Sequence, residues 1–197
     1  MSVTTSLATP KDILSFWFDE LTPSDWYDSS ETLDAQIRDR FETTWDAAVD
    51  GQFALWMTSA RGVLAYLILV DQFPRYMFRG GNKAFASDQI ALVVAKQAIG
   101  RAWDLKIDGP ARQFMYMPLM HSEVLCDQDR CVRLMSERLD GDNNQLHAQA
   151  HREIIRRFGR FPYRNDALGR ASTAAEQAFL TTEGYGDVLR ALEQQAA

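Results

Sequence analysis

Apolar residues along this chain recur at the three- and four-residue spacing of amphipathic helices, and no segment alternates as a half-buried strand does. One stripe repeats every fourth residue and stops before Gly51, a residue type that commonly ends helices. It consists of Leu33, Ile37, Phe41, Trp45 and Val49. The pattern predicts an all-α protein.

The run from Val63 to Val70 is apolar on all sides, so we expect its helix to be buried on every face. Pro74 is expected to disturb the end of that helix, because proline lacks a backbone N–H. Ser87 or Asp88 is expected to cap the next helix.

Polar and glycine signals also mark the later helices. Asp142 or Asn143 is expected to cap a long helix that ends at Gly159. Ser172 with Glu176 resembles a shifted capping box. Together these signals predict seven to nine helices packed as antiparallel pairs.

Length and charge narrow the class of protein. A chain of 197 residues is expected to form one helical domain over 1–197. The net charge of −6 argues against nucleic-acid binding. The N-terminal sequence lacks the features of a signal peptide, and the run from Val63 to Val70 is far shorter than the ~20 residues that span a bilayer. We therefore expect a cytoplasmic protein that does not bind membranes.

Asp71 and Gln72 follow the apolar run directly. Burying a carboxylate without a partner lowers the stability of the fold by roughly several kcal/mol. Arg75 and Arg79 lie four and eight positions after Asp71, where either can pair with it. Two interpretations stay open. The group is either an ion pair that locks the helix end or part of a polar pocket.

A second polar cluster contains His121, Ser122 and Glu123, followed by Asp127 and Gln128. A histidine and a carboxylate two positions apart do not share a helix face, so we expect them to contact different partners. Asp127 and Gln128 fit a helix cap as well as they fit a site.

His147 and His151 are one helical turn apart, the spacing of a helical metal-ligand pair. The residues between them lack the glutamate of a zinc protease, and a third ligand would have to come from His121, Glu123 or Asp71. We therefore predict no metal site. His151 is expected to be hydrogen-bonded at a helix interface, and His147 to be solvated.

The segment Arg152–Arg170 carries six arginines in an otherwise acidic chain. Arg160, Arg164 and Arg170 lie in or after a Gly/Pro turn, where they either form a pocket for a carboxylate or phosphate or neutralise the acidic residues in one network. Asn165 follows Arg164 in the same turn.

Four motifs resemble a bacterial family, the domain of unknown function 924. They are ILSFWF (13–18), LVDQFPR (69–75), MPLMHSE (117–123) and HREIIRRFGRFPYRN (151–165). The resemblance covers about residues 11–182 and implies a tetratricopeptide-like α-α superhelix, with no established activity. The chain departs from the family pattern at Tyr163, where histidine is more usual, which puts a catalytic base at that position in doubt.

Three hypotheses about function follow. The first is a polar pocket for a small anionic molecule, either a binding site alone or an enzyme site in which carboxylates and histidines act as acid–base groups. The second is a helical-repeat module that binds a peptide or protein, and the third is a structural polar network with homodimerisation as its only binding. No reaction or cofactor is predicted. The acid–base candidates are Asp71, His121, Glu123 and His151, and the binding candidates are Gln72, Arg75, Arg79, Asp127, Gln128, Arg160, Arg164, Asn165 and Arg170.

Overall fold

The computed structural model describes residues 6–28, 30–141 and 143–196, and within these ranges it contains ten α-helices and no strand. The all-α prediction is confirmed. The chain divides into two compact units, an N-terminal unit that ends at Met115 and a C-terminal unit that begins at Tyr116. The predictions of one domain and of a tetratricopeptide-like superhelix stay predictions.

The N-terminal unit contains five α-helices, joined by π-helical and 3-10 segments. The α-helices are α1 (Pro10–Ser15), α2 (Glu31–Val49), α3 (Ala60–Leu67), α4 (Phe73–Met77) and α5 (Asp88–Gly100). The π segments are Phe16–Glu20 and Ile68–Gln72, and the 3-10 segments are Ala54–Thr58, Asn82–Phe85, Asp104–Lys106 and Gly109–Met115.

Pro74 was expected to disturb the end of the buried apolar helix, and at that point the chain runs through a π segment into α4. Phe73 N donates to the Ile68 carbonyl, five residues back, and Pro74 lies in the first turn of α4, where its missing N–H is tolerated. Proline cannot donate to the Val70 carbonyl, and the Ser87 hydroxyl donates to that oxygen instead, at 2.5 Å. Ser87 makes no capping hydrogen bond to α5.

An aromatic cluster around Trp17 forms the core of the N-terminal unit. Trp17 is fully buried. Its ring lies 5.6 Å from those of Phe73 and Phe114, 5.8 Å from Tyr76 and 6.4 Å from Trp26, between centroids. Most of these contacts are edge-on or tilted, the arrangements that aromatic rings favour.

The C-terminal unit contains the other five helices, α6 (Met117–Met120), α7 (Leu125–Arg138), α8 (Asn143–Phe158), α9 (Ala174–Thr182) and α10 (Tyr185–Ala196), with a 3-10 turn at Pro162–Arg164. Buried apolar residues of α8, α9 and α10 pack around Phe161. The total exceeds the expected seven to nine because the buried apolar helix divides at its π segment and because α6 is a short separate helix.

The helix-end predictions were partly right. Gly159 ends α8 with φ of +71°, and its N–H donates to the Ile155 carbonyl at 2.8 Å. Asn143 is the first residue of α8, and Asp142 lies outside the described residues. The capping box pairs Thr173, rather than Ser172, with Glu176.

None of the helices in the described ranges is long and apolar enough to cross a membrane.

Candidate functional site

Asp71 lies in the second π segment with a side chain that is 1% exposed. One carboxylate oxygen lies 3.4 Å from Arg75 Nη1, and the other accepts a hydrogen bond from Gln72 Nε2 at 2.5 Å. Arg75 also donates to both oxygens of Asp88, at 3.0 and 3.2 Å. The ion pair that the sequence suggested is therefore present at the end of the buried helix.

Arg79, the other candidate partner of Asp71, binds α2. Its guanidinium donates to the two carboxylate oxygens of Asp34 at 2.9 and 3.0 Å and lies over the ring of Tyr76. Arg79 thus fastens α2 to the segment that follows α4.

Glu123 and Arg170 form a two-pronged ion pair in the C-terminal unit, with N–O distances of 2.7 and 3.0 Å. Phe161 N donates to Glu123 at 2.8 Å, and Arg170 Nε donates to Asn165 Oδ1 at 2.9 Å. Burial raises the pKa of Glu123, but the hydrogen bonds from Arg170 and Phe161 outweigh it and hold that pKa below the ordinary value. The Glu123 carboxylate therefore stabilises the turn after α8 through its contacts with Phe161 and Arg170.

Arg160 is held in a similar way by Glu176. Arg160 Nε and Nη2 donate to the two oxygens of Glu176 at 2.6 and 2.8 Å, and Nη2 also donates to the Ala171 carbonyl at 2.9 Å. Thr173 N donates to Glu176 at 2.7 Å. The hydrogen bonds from Arg160 first, and from Thr173 second, lower the pKa of Glu176 to about 2.

This lowered pKa makes the Glu176 carboxylate stabilising above its ordinary pKa of 4.5, and the contribution disappears as the pH falls through about 2. Melting temperatures measured from pH 7 to pH 3 should therefore fall more steeply for the wild type than for Glu176→Gln. A matched variant of an exposed glutamate on α7, Glu137→Gln, should follow the wild type. Parallel curves for wild type and Glu176→Gln would contradict the assignment.

Ser122, Asp127 and Gln128 close the turn between α6 and α7. The Ser122 hydroxyl donates to Asp127 Oδ2 at 2.9 Å. Gln128 Nε2 donates to the carbonyls of Met120 and Ser122, each at 2.6 Å. Both Asp127 and Gln128 are buried, so the structure places them in the support of the turn that carries His121.

His151 and His121 come together in the C-terminal unit, with ring centroids 6.4 Å apart. His151 Nδ1 lies 2.8 Å from the carbonyl oxygen of His147, which can only accept, so Nδ1 carries the proton. Nε2 then bears the lone pair, and no residue of the described ranges hydrogen-bonds to it. The rings of Phe161 and Tyr185 meet His151 edge-on or nearly so.

Arg164 brings a positive charge to the same place. Its side chain is buried, and its guanidinium carbon lies 4.7 Å from the centre of the Phe161 ring. Burial lowers the pKa of His151 to about 3, and the charges of His121 and Arg164 act in the same direction, against the hydrogen bond to the His147 carbonyl. The imidazole of His151 is therefore neutral near pH 7.

The expectation that His147 is solvated was wrong. Its Nδ1 lies 2.5 Å from the Tyr185 hydroxyl and the two rings are stacked, because α10 packs against α8. Burial lowers the pKa of His147. Within the described ranges no three His, Cys, Asp or Glu side chains are placed to hold a metal ion.

A cleft of about 950 Å³ in the N-terminal unit was not foreseen from the sequence. Its walls include Leu14, Phe18, Trp26, Trp56 and Leu64, together with the basic residues Lys11, Arg61 and Lys106. One sequence signal could have drawn attention to it. Lys11 and Arg61 are each the second residue of a helix, where a positive charge opposes the helix dipole.

The candidate residues thus fall into separate local groups. Asp71, Gln72 and Arg75 form one group, and Arg79 pairs with α2. In the C-terminal unit, Glu123, Asn165 and Arg170 support a turn, and Arg160 pairs with α9. His121, His151 and Arg164 form a third group there, which we call the histidine site.

Comparisons with known proteins agree with the fold. A solved structure titled as a protein of unknown function, ATU0120 from Agrobacterium tumefaciens, is similar to this chain with a TM-score of 0.83 and 36% sequence identity. The similarity covers 89% of this chain and 97% of that one. No curated protein matches the sequence. The model of the family described as bacterial protein of unknown function (DUF924) matches residues 13–184. The chain therefore belongs to the DUF924 family.

Proposed function

We propose that the histidine site binds a small anionic molecule, such as a carboxylate or a phosphate or sulfate ester. The observation that carries this proposal is the state of His151. It is a neutral imidazole whose Nδ1 proton is fixed on a backbone carbonyl and whose Nε2 has no partner among the described residues. Arg164 and His121 lie next to it.

The electrostatics favour a negative partner. Burial first, and then the positive charges of His121 and Arg164, lower the pKa of His151, and no carboxylate is among the groups that shift it. An anion beside the ring would stabilise the protonated form, so Nε2 would take up a proton and donate a hydrogen bond to the ligand. Arg160 and Arg170, which pair with Glu176 and Glu123, are left out of the site because they are not among the groups that shift the pKa of His151.

The link between anion binding and protonation of His151 would also suit the site to acid–base chemistry. An imidazole with a pKa of about 3 is a poor base near pH 7. A bound anion raises the pKa toward the range in which histidine exchanges protons with a substrate. We therefore assign His151 as the acid–base group, with Arg164 and His121 positioned to hold the anion.

Sulfate is the probe that tests this coupling, because its charge does not change between pH 5 and 8. We expect sulfate, followed by NMR of the histidine side chains, to bind several-fold more tightly at pH 5.5 than at pH 7.5, since binding takes up a proton. The His151 resonances should show a raised pKa in the presence of sulfate.

Two variants test whether His151 itself, and not a neighbouring histidine, causes the pH dependence of sulfate binding. His151→Asn should abolish the pH dependence of sulfate binding. His147→Gln is the matched control on the same helix, since it keeps the backbone carbonyl that orients His151, and it should preserve that dependence. Sulfate affinity that is independent of pH, or that His151→Asn leaves unchanged, would overturn the proposal.

A further inference from the structure

We infer that the cleft of the N-terminal unit binds an amphipathic organic anion, a molecule with an apolar chain or ring and one acidic group. This inference concerns a second site and does not depend on the histidine site. It rests on the apolar walls of the cleft, on three basic side chains around it and on the way the walls are held in place.

The walls are apolar and aromatic. Leu14, Phe18 and Leu64 line the cleft, and Leu55 lies at its edge with 82% of its surface exposed. An isolated exposed leucine is ordinary, but this one adjoins further apolar surface that a ligand would cover. A volume of about 950 Å³ is within the range of small-molecule pockets.

The two tryptophans of the cleft are fixed before any ligand arrives. Trp26 Nε1 donates to the Trp17 carbonyl at 2.9 Å, and the Trp56 ring stacks on Phe53 with centroids 4.3 Å apart. A Cβ on Gly62 would lie 2.2 Å from the Trp56 carbonyl oxygen, so only glycine lets the segment that carries Trp56 approach α3 so closely. Such preformed walls lower the entropic cost of binding.

Three basic residues line the cleft and indicate that the polar group of the ligand is acidic. Lys11, Arg61 and Lys106 are exposed, and the described residues give them no ion pair, hydrogen bond or aromatic contact. Two other arginines of this unit form ion pairs, Arg40 with Glu20 and Arg79 with Asp34.

Two acidic residues, Asp19 and Asp108, also line the cleft, so its charged side chains carry a net positive charge in a protein of net charge −6. Asp19 accepts a hydrogen bond from the Ser15 hydroxyl at 2.9 Å. An acidic group on the ligand would complement the excess of positive charge.

The roles of the apolar chain and of the acidic group can be tested separately with decanoate, which has both, decanol, which lacks the charge, and acetate, which lacks the chain. Trp26 and Trp56 line the cleft, so binding can be followed by tryptophan emission. We expect decanoate to bind roughly tenfold more tightly than decanol, given the modest strength of exposed charge pairs. Acetate, which lacks the apolar chain, should produce no change in emission.

Variants of the three basic residues test whether their positive charge contributes to binding. The triple variant Lys11→Gln, Arg61→Gln, Lys106→Gln should weaken decanoate binding roughly tenfold and leave decanol binding unchanged. Arg101→Gln, an exposed arginine of the same unit outside the cleft lining, should alter neither. Because all four side chains are exposed, the variants are expected to fold.

Variants on the apolar side test the walls. Leu55→Ser should weaken decanoate and decanol alike, whereas Val93→Ser, an exposed apolar residue of α5 outside the cleft lining, should weaken neither.

Equal affinity for decanoate and decanol would overturn the inference, as would unchanged tryptophan emission or equal losses in Arg101→Gln and the triple variant. A dimer in light scattering that Leu55→Ser dissociates would instead assign the cleft to a second copy of the chain, which also overturns it. Sulfate binding at the histidine site should be unaffected by every variant of the cleft.

Discussion

Replacing Trp17 by alanine is expected to lower the free energy of unfolding by about 3–5 kcal/mol, the cost of removing a large buried aromatic side chain. Trp17 is fully buried, and four other aromatic rings pack against it. The neighbouring backbone belongs to a helix and cannot collapse freely into the cavity. Urea denaturation followed by circular dichroism measures the loss without relying on tryptophan fluorescence.

Trp17→Phe is the informative companion variant. Trp17 Nε1 is buried and has no hydrogen-bond partner in the described residues, and an unsatisfied buried donor costs about 1–3 kcal/mol. Phenylalanine removes this donor and keeps most of the aromatic packing, so we expect Trp17→Phe to lose at most about 1 kcal/mol. A loss close to that of Trp17→Ala would contradict the expectation that aromatic packing, and not the indole N–H, accounts for the contribution of Trp17.

Replacing Asp71 by alanine is expected to cost about 1.5–3 kcal/mol, because it removes a buried carboxylate that accepts charged and amide hydrogen bonds, while Arg75 keeps Asp88 as a partner. Arg75 would lose a carboxylate at 3.4 Å, and Gln72 Nε2 would lose its acceptor. The measurement is again urea denaturation, at low and at high salt. Because Asp71 is 1% exposed, salt should change the loss little.

The control for Asp71 is the exposed pair between Glu20 and Arg40, whose side chains are 45% and 37% exposed. Glu20→Ala should cost no more than about 1 kcal/mol, since exposed ion pairs are weak and are screened by salt. Comparable losses for Glu20→Ala and Asp71→Ala would mean that burial does not determine the importance of the Asp71 pair.

The long amphipathic helices were the part of the fold that the sequence predicted best. The stripe from Leu33 to Val49 became α2, and Gly51 adopts the positive φ expected after a helix end. Such helices extend over several turns, so their period is repeated often enough to be recognised. The π segments were not predicted, because a single widened turn leaves no repeated pattern.

The candidate site was predicted less well, because its contacts join residues far apart in sequence. Glu123 and Arg170 are 47 positions apart, and nothing local indicates that they form a pair. The sequence did suggest that loop arginines neutralise acidic residues, and Arg170 does so at Glu123. The clustering of His121 with His151 and Arg164 depends on how α6, α8 and the following turn pack together.

The π segment from Ile68 to Gln72 has a consequence for how the length of this chain can change. A π turn holds one residue more than an α turn, so deleting a single residue there would give an ordinary α-helix. Five residues of a π turn and four of an α turn complete nearly the same rotation, so the deletion would leave α3 and α4 on their present faces. It would change the contacts inside the segment, where Gln72 donates to Asp71 and the Ser87 hydroxyl donates to the Val70 carbonyl. A deletion at this point is therefore expected to keep the packing of the two flanking helices and to disturb only the polar contacts of the segment.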